Sequence, residues 1–269
     1  MNMPSSRTVF RPVETVPDFQ YLARVPASPD PARVLVAVHG ISRNAPFIVR
    51  ALAESAEVHG YTLLAPVFSQ RTYGDYQRLG REGRGARADL AFHEMLADAR
   101  DWLGIGRDID LFGFSGGAQF AHRFVYANPG LVRSLVLAAA GWYTAPDPGE
   151  KFPYGTARTR RLPGLRFNAR GLAETPTLIL VGEVDSERDE ALRSSARVDR
   201  TQGRDRIARA RWFRRELQRL RPAVAPRFEL LPNTSHDFGE AVSRGALVPK
   251  IFDHCLRCLS KAPAEELLL

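Results

Sequence analysis

The sequence predicts an α/β protein built on a mostly parallel sheet with helices on both faces. Three observations carry that expectation. Short apolar runs alternate with longer amphipathic stretches along the whole chain. The run Val34–Val38 is apolar without a break, which fits a strand covered on both faces. The alternation runs throughout without internal repeats, as in a single domain. With 269 residues and 44% apolar content, the chain is long enough for one substantial core. A single domain over 1–269 is expected, with a small cap-like insertion at about 144–173.

The elements follow in order. Residues 7 to 25 hold two short runs rich in Val, Phe and Tyr, separated by prolines, and read as an antiparallel pair; Pro26 to Pro31 then breaks the chain. Val34–Val38 is a central strand ending at His39-Gly40. Residues 46 to 58 form a helix, Tyr61–Phe68 the next strand, and Ser69 to about Ala86 a polar loop rich in Gly and Arg. Over 87 to 103 the spacing of Leu90, Ala91, Met95, Leu96, Ala99 and Leu103 suits a helix lying on a sheet. Ile109–Phe114 is another strand, and it leads through Ser115 into a helix over 116 to 126 that stops at Asn128-Pro129-Gly130. Val132–Gly141 is the strand after that. Residues 144 to 173, rich in Pro, Gly and Arg, read as a mostly irregular excursion over one end of the sheet. Thr177–Val181 returns to the sheet and is followed by a polar loop of about 20 residues. An arginine-rich helix near 204 to 220, a last strand Phe228–Leu231 and one closing helix over 240 to 259 complete the chain.

Composition excludes several function classes. The net charge is +8, yet Lys151, Lys250 and Lys261 are the only lysines among 38 basic residues. The basic residues concentrate in 158–170 and 197–221. The second cluster includes Asp199, Asp205 and Glu216, as a solvated helix would. No basic and aromatic module accompanies the charge, so no nucleic-acid partner is expected; attraction of an anionic substrate is a more modest use of the same field. No stretch approaches membrane-spanning length and no apolar segment follows the first charge, so no membrane partner and a cytoplasmic location are expected. Cys255 and Cys258 stand one helical turn apart, which favours neighbouring thiols over a disulfide, and no second pair completes a zinc site.

In a sheet of this kind, functional residues gather at the carboxyl ends of strands. Ser115 ends the Ile109 strand in Gly113-Phe-Ser-Gly-Gly117, where flanking glycines let strand and helix approach around a sharp turn that lifts the hydroxyl. Asp185 follows the Thr177 strand in Gly182-Glu-Val-Asp185, and His236 follows the last strand in Asn233-Thr-Ser-His236. A serine hydroxyl is a poor nucleophile at neutral pH. His236 is therefore expected to take its proton, and Asp185 to hold the imidazole tautomer and stabilise its cation. Two backbone N–H donors for an oxyanion are expected from Gly116 and from the turn after His39-Gly40, at Ile41. Glu183, Asp189 and Asp147 are alternative acids. His93, His122, His59 and His254 fall in helices or at a helix end and read as surface or packing residues, and Asp237 reads as a loop-capping carboxylate.

On these motifs the chain resembles the α/β-hydrolase superfamily over residues 34 to 255, and within it the dienelactone hydrolase, feruloyl esterase and polyhydroxybutyrate-depolymerase-like esterases. His39-Gly40, Gly113-Phe-Ser-Gly-Gly117, Gly182-Glu-Val-Asp185 and Ser235-His236-Asp-Phe238 match in order and spacing. The oxyanion turn departs from the pattern, since it reads His39-Gly-Ile-Ser-Arg-Asn44 without the extra glycines of the His-Gly-Gly-Gly lipases. The resemblance implies a serine esterase acting through an acyl-enzyme on a small or medium carboxylic ester, with no metal or organic cofactor. An acyltransferase or perhydrolase-type use of the same triad and a non-catalytic binding scaffold are the alternatives. Trp142, Tyr143, Phe152, Tyr154 and Phe238 are candidate pocket residues, Tyr73 and Tyr76 could cover the mouth, and Arg43 could bind a substrate carboxylate.

Overall fold

Along the strand Val34–Val38, side chains alternate between two cores. Val34, Val36 and Val38 join one and Leu35 and Ala37 the other, so both faces of the strand are dry. In the computed structural model, which describes residues 7–260, this strand is β3 of an eight-stranded sheet. The strands are β1 Thr8–Pro12, β2 Gln20–Arg24, β3 Val34–Val38, β4 Thr62–Val67, β5 Ile109–Phe114, β6 Val132–Ala138, β7 Thr177–Gly182 and β8 Arg227–Leu231. Their order is β1-β2-β4-β3-β5-β6-β7-β8. The β1–β2 and β2–β4 pairs are antiparallel and every other pair is parallel. The sequence-level strands thus sit within a residue or two of their expected ends, apart from β6, which stops at Ala138.

The helices are α1 Ala45–His59, α2 Ala88–Leu103, α3 Gly116–Ala127, α4 Ala169–Glu174, α5 Ala196–Gln202, α6 Arg206–Arg219, α7 Phe238–Ser243 and α8 Leu247–Leu259. Buried residues of α2, α3 and α6 form one core, and those of α1, α7 and α8 the other. The excursion after β6 contributes Phe152 and Leu162 to the first of these cores and ends in α4, which Asn168 caps by accepting from Gly171 N. Among the described residues no helix is long and apolar enough to cross a membrane. Cys255 is buried, Cys258 is half-buried, and neither is in a disulfide.

Four expectations need correction. Leu90 is 52% exposed, because it lies about 200° around the helix from Phe92, whose side of α2 faces the core. The polar loop before α6 contains the short helix α5, and α4 was likewise hidden in a polar stretch. The closing helix is two helices, because Ala246 at φ +53° turns the chain between α7 and α8. The arginine-rich helix is not simply solvated. Arg206 and Arg209 are buried on the same face as Ala210, Phe213 and Leu217, where their guanidiniums meet carboxylates and carbonyls.

Candidate active site

The turn from β5 into α3 holds Ser115 at φ +53° and ψ −111°, a conformation that side chains rarely adopt. Glycine is required on both sides of it. A Cβ on Gly113 would stand 2.4 Å from the carbonyl carbon of Gly117, and one on Gly117 would stand 2.0 Å from Val38 O. The close approach of β3, β5 and α3 therefore forces the serine out at the end of the sheet, where Ser115 N donates to Ala138 O at 2.8 Å.

Three loops from three strands meet there. Ser115 Oγ lies 3.0 Å from His236 Nε2, and His236 Nδ1 lies 3.0 Å from Asp185 Oδ2. With the imidazole proton on Nδ1 donated to Asp185, Nε2 is left to accept from the serine hydroxyl. The loops carrying the acid and the histidine are stitched together by Glu183 N donating to Leu231 O and Val184 N donating to Thr234 O. Ser235 fastens the histidine loop to α7 by donating its N–H and its hydroxyl to Glu240 Oε2; these bonds hold the Glu240 carboxyl below the ordinary glutamate range. The His236 ring also lies against Phe114, with centroids 5.5 Å apart and planes 20° apart.

Asp185 is buried, and its second oxygen is not idle: Oδ1 accepts from Arg206 Nη1 at 3.0 Å. The same guanidinium holds Asp189 through Nη2, at 2.8 and 3.1 Å. Burial works against the Asp189 charge, but Arg206 outweighs it and keeps that carboxyl below the ordinary aspartate value. The alternative acids are engaged elsewhere. Asp189 faces Arg206, Glu183 accepts from Asn233 N, and Asp147 accepts from Gly149 N in the excursion. Asp237 caps α7 by accepting from Glu240 N.

The turn after β3 is rigid for a separate reason. His39 is fully buried; its Nδ1 donates to Gly40 O at 2.8 Å, while Phe68 N donates to Nε2 at 3.1 Å. Burial pushes this imidazole down to about 4, so it stays neutral and serves as a strut. Tyr76 OH donates to His39 O at 3.0 Å from the other side. Ile41 Cγ2 reaches within 3.1 Å of where a Cβ on Gly116 would stand, which brings the turn and the N-terminus of α3 to one cleft. Among the described residues, neither the Ile41 nor the Gly116 backbone N–H meets an acceptor.

The cleft has a volume of about 400 Å³ and is lined by Ser115, His236, Ile41, Phe47, Phe114 and Phe238, among others. Phe238 packs edge-on against both Phe47 and Phe114, at 5.3 and 5.2 Å. Of the candidate substrate residues only Phe238 faces this space. Arg43 braces the exit of β4 instead: its Nη1 donates to Phe68 O, and Nε and Nη2 donate to Gln70 Oε1. Tyr73 is buried between Phe19 and Phe68, and Tyr143 lies flat on Phe213 at 4.3 Å. Trp142 is buried beneath the guanidinium of Arg123. Trp142 and Tyr143 were expected to line the pocket, Tyr73 to cover its mouth and Arg43 to bind a substrate carboxylate, but each is engaged by another partner within the protein. Among the described residues no cluster of His, Cys, Asp and Glu is placed to hold a metal ion.

Sequence reasoning missed Arg206, Phe114 and Phe47. Arg206 had a signal, since it stands at the position where the apolar stripe of Ala210, Phe213 and Leu217 continues toward the helix start. A charged residue there must be paired.

No family model matches the chain, and no curated protein matches it in sequence. Solved structures do. The poly(aspartic acid) hydrolase-1 of Sphingomonas sp. KT-1 superimposes with a TM-score of 0.75 at 24% identity, covering 90% of this chain and 97% of that one. A poly(3-hydroxybutyrate) depolymerase from Bordetella parapertussis gives 0.72 at 27% identity, covering 87% and 84%. An S-formylglutathione hydrolase from Agrobacterium tumefaciens gives 0.60 at 16% identity, covering 95% of each chain. The chain therefore has the α/β-hydrolase fold.

Proposed function

We propose that the protein is a serine hydrolase that cleaves small or medium carboxylic esters through an acyl-enzyme. The observation that carries this reading is the hydrogen-bonded line from Ser115 Oγ through His236 to Asp185 Oδ2, opening on a cleft with two unengaged backbone N–H groups. In the first half-reaction Ser115 Oγ attacks the ester carbonyl as its proton passes to His236 Nε2. The new charge on the carbonyl oxygen is stabilised by the N–H groups of Ile41 and Gly116, and the second of these also lies at the positive end of α3. Collapse breaks the C–O bond, and the imidazolium returns its proton to the departing alkoxide. Water then repeats the sequence, giving the carboxylic acid and free Ser115.

The resemblance to hydrolases that act on poly(3-hydroxybutyrate) and poly(aspartic acid) supports ester or amide acyl chemistry at this site. A cleft walled by Phe47, Phe114 and Phe238 suits the apolar acyl chain of such an ester. The test is labelling with a fluorophosphonate together with hydrolysis of short 4-nitrophenyl esters. Both are expected in the wild type and absent in Ser115→Ala. A folded wild-type protein that is neither labelled nor active overturns the reading.

A further inference from the structure

Around α3 lies a concentration of positive charge that the proposed chemistry does not use. Arg123 is fully buried two turns after Ser115 on α3, and its guanidinium carbon stands 4.4 Å from the centre of the Trp142 ring. Arg193 approaches the same ring at 5.0 Å and donates to Tyr154 OH at 3.0 Å. Arg78 and Arg81 lie within electrostatic reach of Arg123 and share one carboxylate, Asp75, at 3.3 and 2.8 Å. Arg123 itself meets only neutral acceptors, donating to Thr144 Oγ1 at 2.9 Å and to Gln77 O at 2.6 Å. Neither Arg123 nor Arg193 has an ion-pair partner among the described residues, and the buried Arg123 Nη2 and Arg193 Nε have no hydrogen-bond acceptor.

Four guanidiniums around a single carboxylate are an unfavourable arrangement unless something anionic completes it. The face of Trp142 supplies part of the missing negative potential, but it accepts no N–H. Burial first, and repulsion from Arg78 next, push Arg123 well below the ordinary arginine value. Arginine pairs are the usual means of holding a carboxylate by two parallel hydrogen bonds. The cluster is also reachable, since Gln77, Arg78, Arg193 and Tyr154 at its rim are half-buried.

Its position relative to Ser115 gives it a use. Arg123 points back along α3 toward the helix start, as its contact with Gln119 O requires, which sets its guanidinium at the level of Gln119, one turn along the helix from Ser115. Gln77, whose carbonyl receives Arg123, presents its Nε2 3.1 Å from where a Cβ on Gly116 would stand. The basic cluster and the donor end of α3 therefore share a wall.

We propose that Arg123, Arg193 and Arg78 form a subsite for a carboxylate carried by the substrate, so that the protein prefers esters bearing a second, ionised acid group. This rests on the ester-hydrolase reading and moves the carboxylate-binding role away from Arg43, which is tied to Phe68 and Gln70, to this cluster.

The test compares 4-nitrophenyl monoesters of the straight-chain diacids from succinic to suberic acid with the same esters capped as methyl esters. At one chain length the free acid is expected to give a kcat/KM about tenfold above its capped counterpart, with the gain in KM. Arg193→Gln and Arg78→Gln should each lower that ratio about fivefold, and the ratio cancels any general loss of active protein. A ratio at or below one at every length, or one that survives both variants, overturns the subsite. Calorimetric titration of suberate into Ser115→Ala separates this proposal from the hydrolase reading. Binding that is lost when Arg193→Gln is added supports the subsite whether or not any ester turns over. Absence of binding alongside normal hydrolysis of capped esters overturns the subsite and leaves the hydrolase standing. Inorganic phosphate competing as well as suberate marks a general anion hole and overturns the carboxylate assignment.

Discussion

Arg206 Nη1 donates to Asp185 Oδ1 at 3.0 Å, and both side chains are almost wholly buried. The acid next to His236 is thus held at both oxygens, one by the imidazole and one by the guanidinium, and the pair is anchored to the start of α6. Removing Arg206 leaves a buried carboxylate with half its partners, a loss that typically costs about 3–5 kcal/mol of stability.

Arg206→Met is therefore expected to lower the unfolding free energy and to reduce kcat about 10- to 100-fold with KM nearly unchanged, less than the roughly 10⁴-fold loss expected for Asp185→Asn. Arg206→Lys should recover part of kcat. Asp189→Asn should change kcat about twofold at most, because Asp189 is 41% exposed and reaches only the outer edge of the guanidinium. Steady-state kinetics with a short 4-nitrophenyl ester decide it. An Asp185→Asn variant as active as wild type, with Asp147→Asn inactive, would transfer the acid role to the excursion.

The strained backbone of Ser115 makes a second prediction. Holding a non-glycine residue at φ +53° and ψ −111° costs about 1–3 kcal/mol, which glycine does not incur. Ser115→Ala and Ser115→Gly should both be inactive, yet the glycine variant should be the more stable by about 1 kcal/mol in urea unfolding. Gly117→Ala should fail to reach the native state, since its Cβ would stand 2.0 Å from Val38 O. Equal midpoints for the two serine variants would mean the turn stores no strain.

The strands and the three residues at their ends were legible because each depends on local pattern. A dry strand such as Val34–Val38 announces itself by continuous apolar residues, and the Gly113 and Gly117 positions by a contact no other side chain permits. The pocket was not legible. Trp142, Tyr143 and Tyr73 follow strand ends just as Phe238 follows β8, and nothing local distinguishes an aromatic turned to the cleft from one turned to Arg123 or Phe213. Arg206 was read with the arginines of its cluster as solvated charge and Arg123 was not singled out, because a buried guanidinium is defined by partners 21 or 46 residues away.

Acid should destabilise the fold within a defined window. Burial lowers His39 and His254 to about 4 and lowers His122 as well, while the unfolded residues titrate near 6.5. The unfolded chain therefore binds more protons between those values, so stability is complete above 6.5 and falls as pH drops toward 4. Each histidine contributes about 1.4 kcal/mol per pH unit inside the window. The carboxylates held low by arginine or lysine, Asp98, Asp189 and Glu229, begin to lose their share only as pH falls through the ordinary carboxylate value, at the acid end of this window. Urea unfolding at pH 7.5, 6.5, 5.5 and 4.5 should show a decline that begins below about 6.5, and His254→Asn should remove one histidine's share of the slope. Flat stability down to pH 5 would mean that these imidazoles are not buried neutral.

The cleft aromatics should separate binding from chemistry. Phe238 packs on Phe47 and Phe114, whereas Phe114 stacks on the His236 ring at 5.5 Å. Phe238→Ala removes apolar wall equally for the bound ester and its transition state. KM for a butyrate ester should rise about tenfold with kcat held, and longer acyl chains should regain what the short one loses. Phe114→Ala instead frees the imidazole to rotate out of line between Ser115 and Asp185, so kcat should fall about tenfold for every chain length. Profiles of kcat and KM against acyl length for the two variants test this. If both variants change only KM, Phe114 is a wall like Phe238, and the alignment of His236 depends on Asp185 and the Ser235–Glu240 clasp alone.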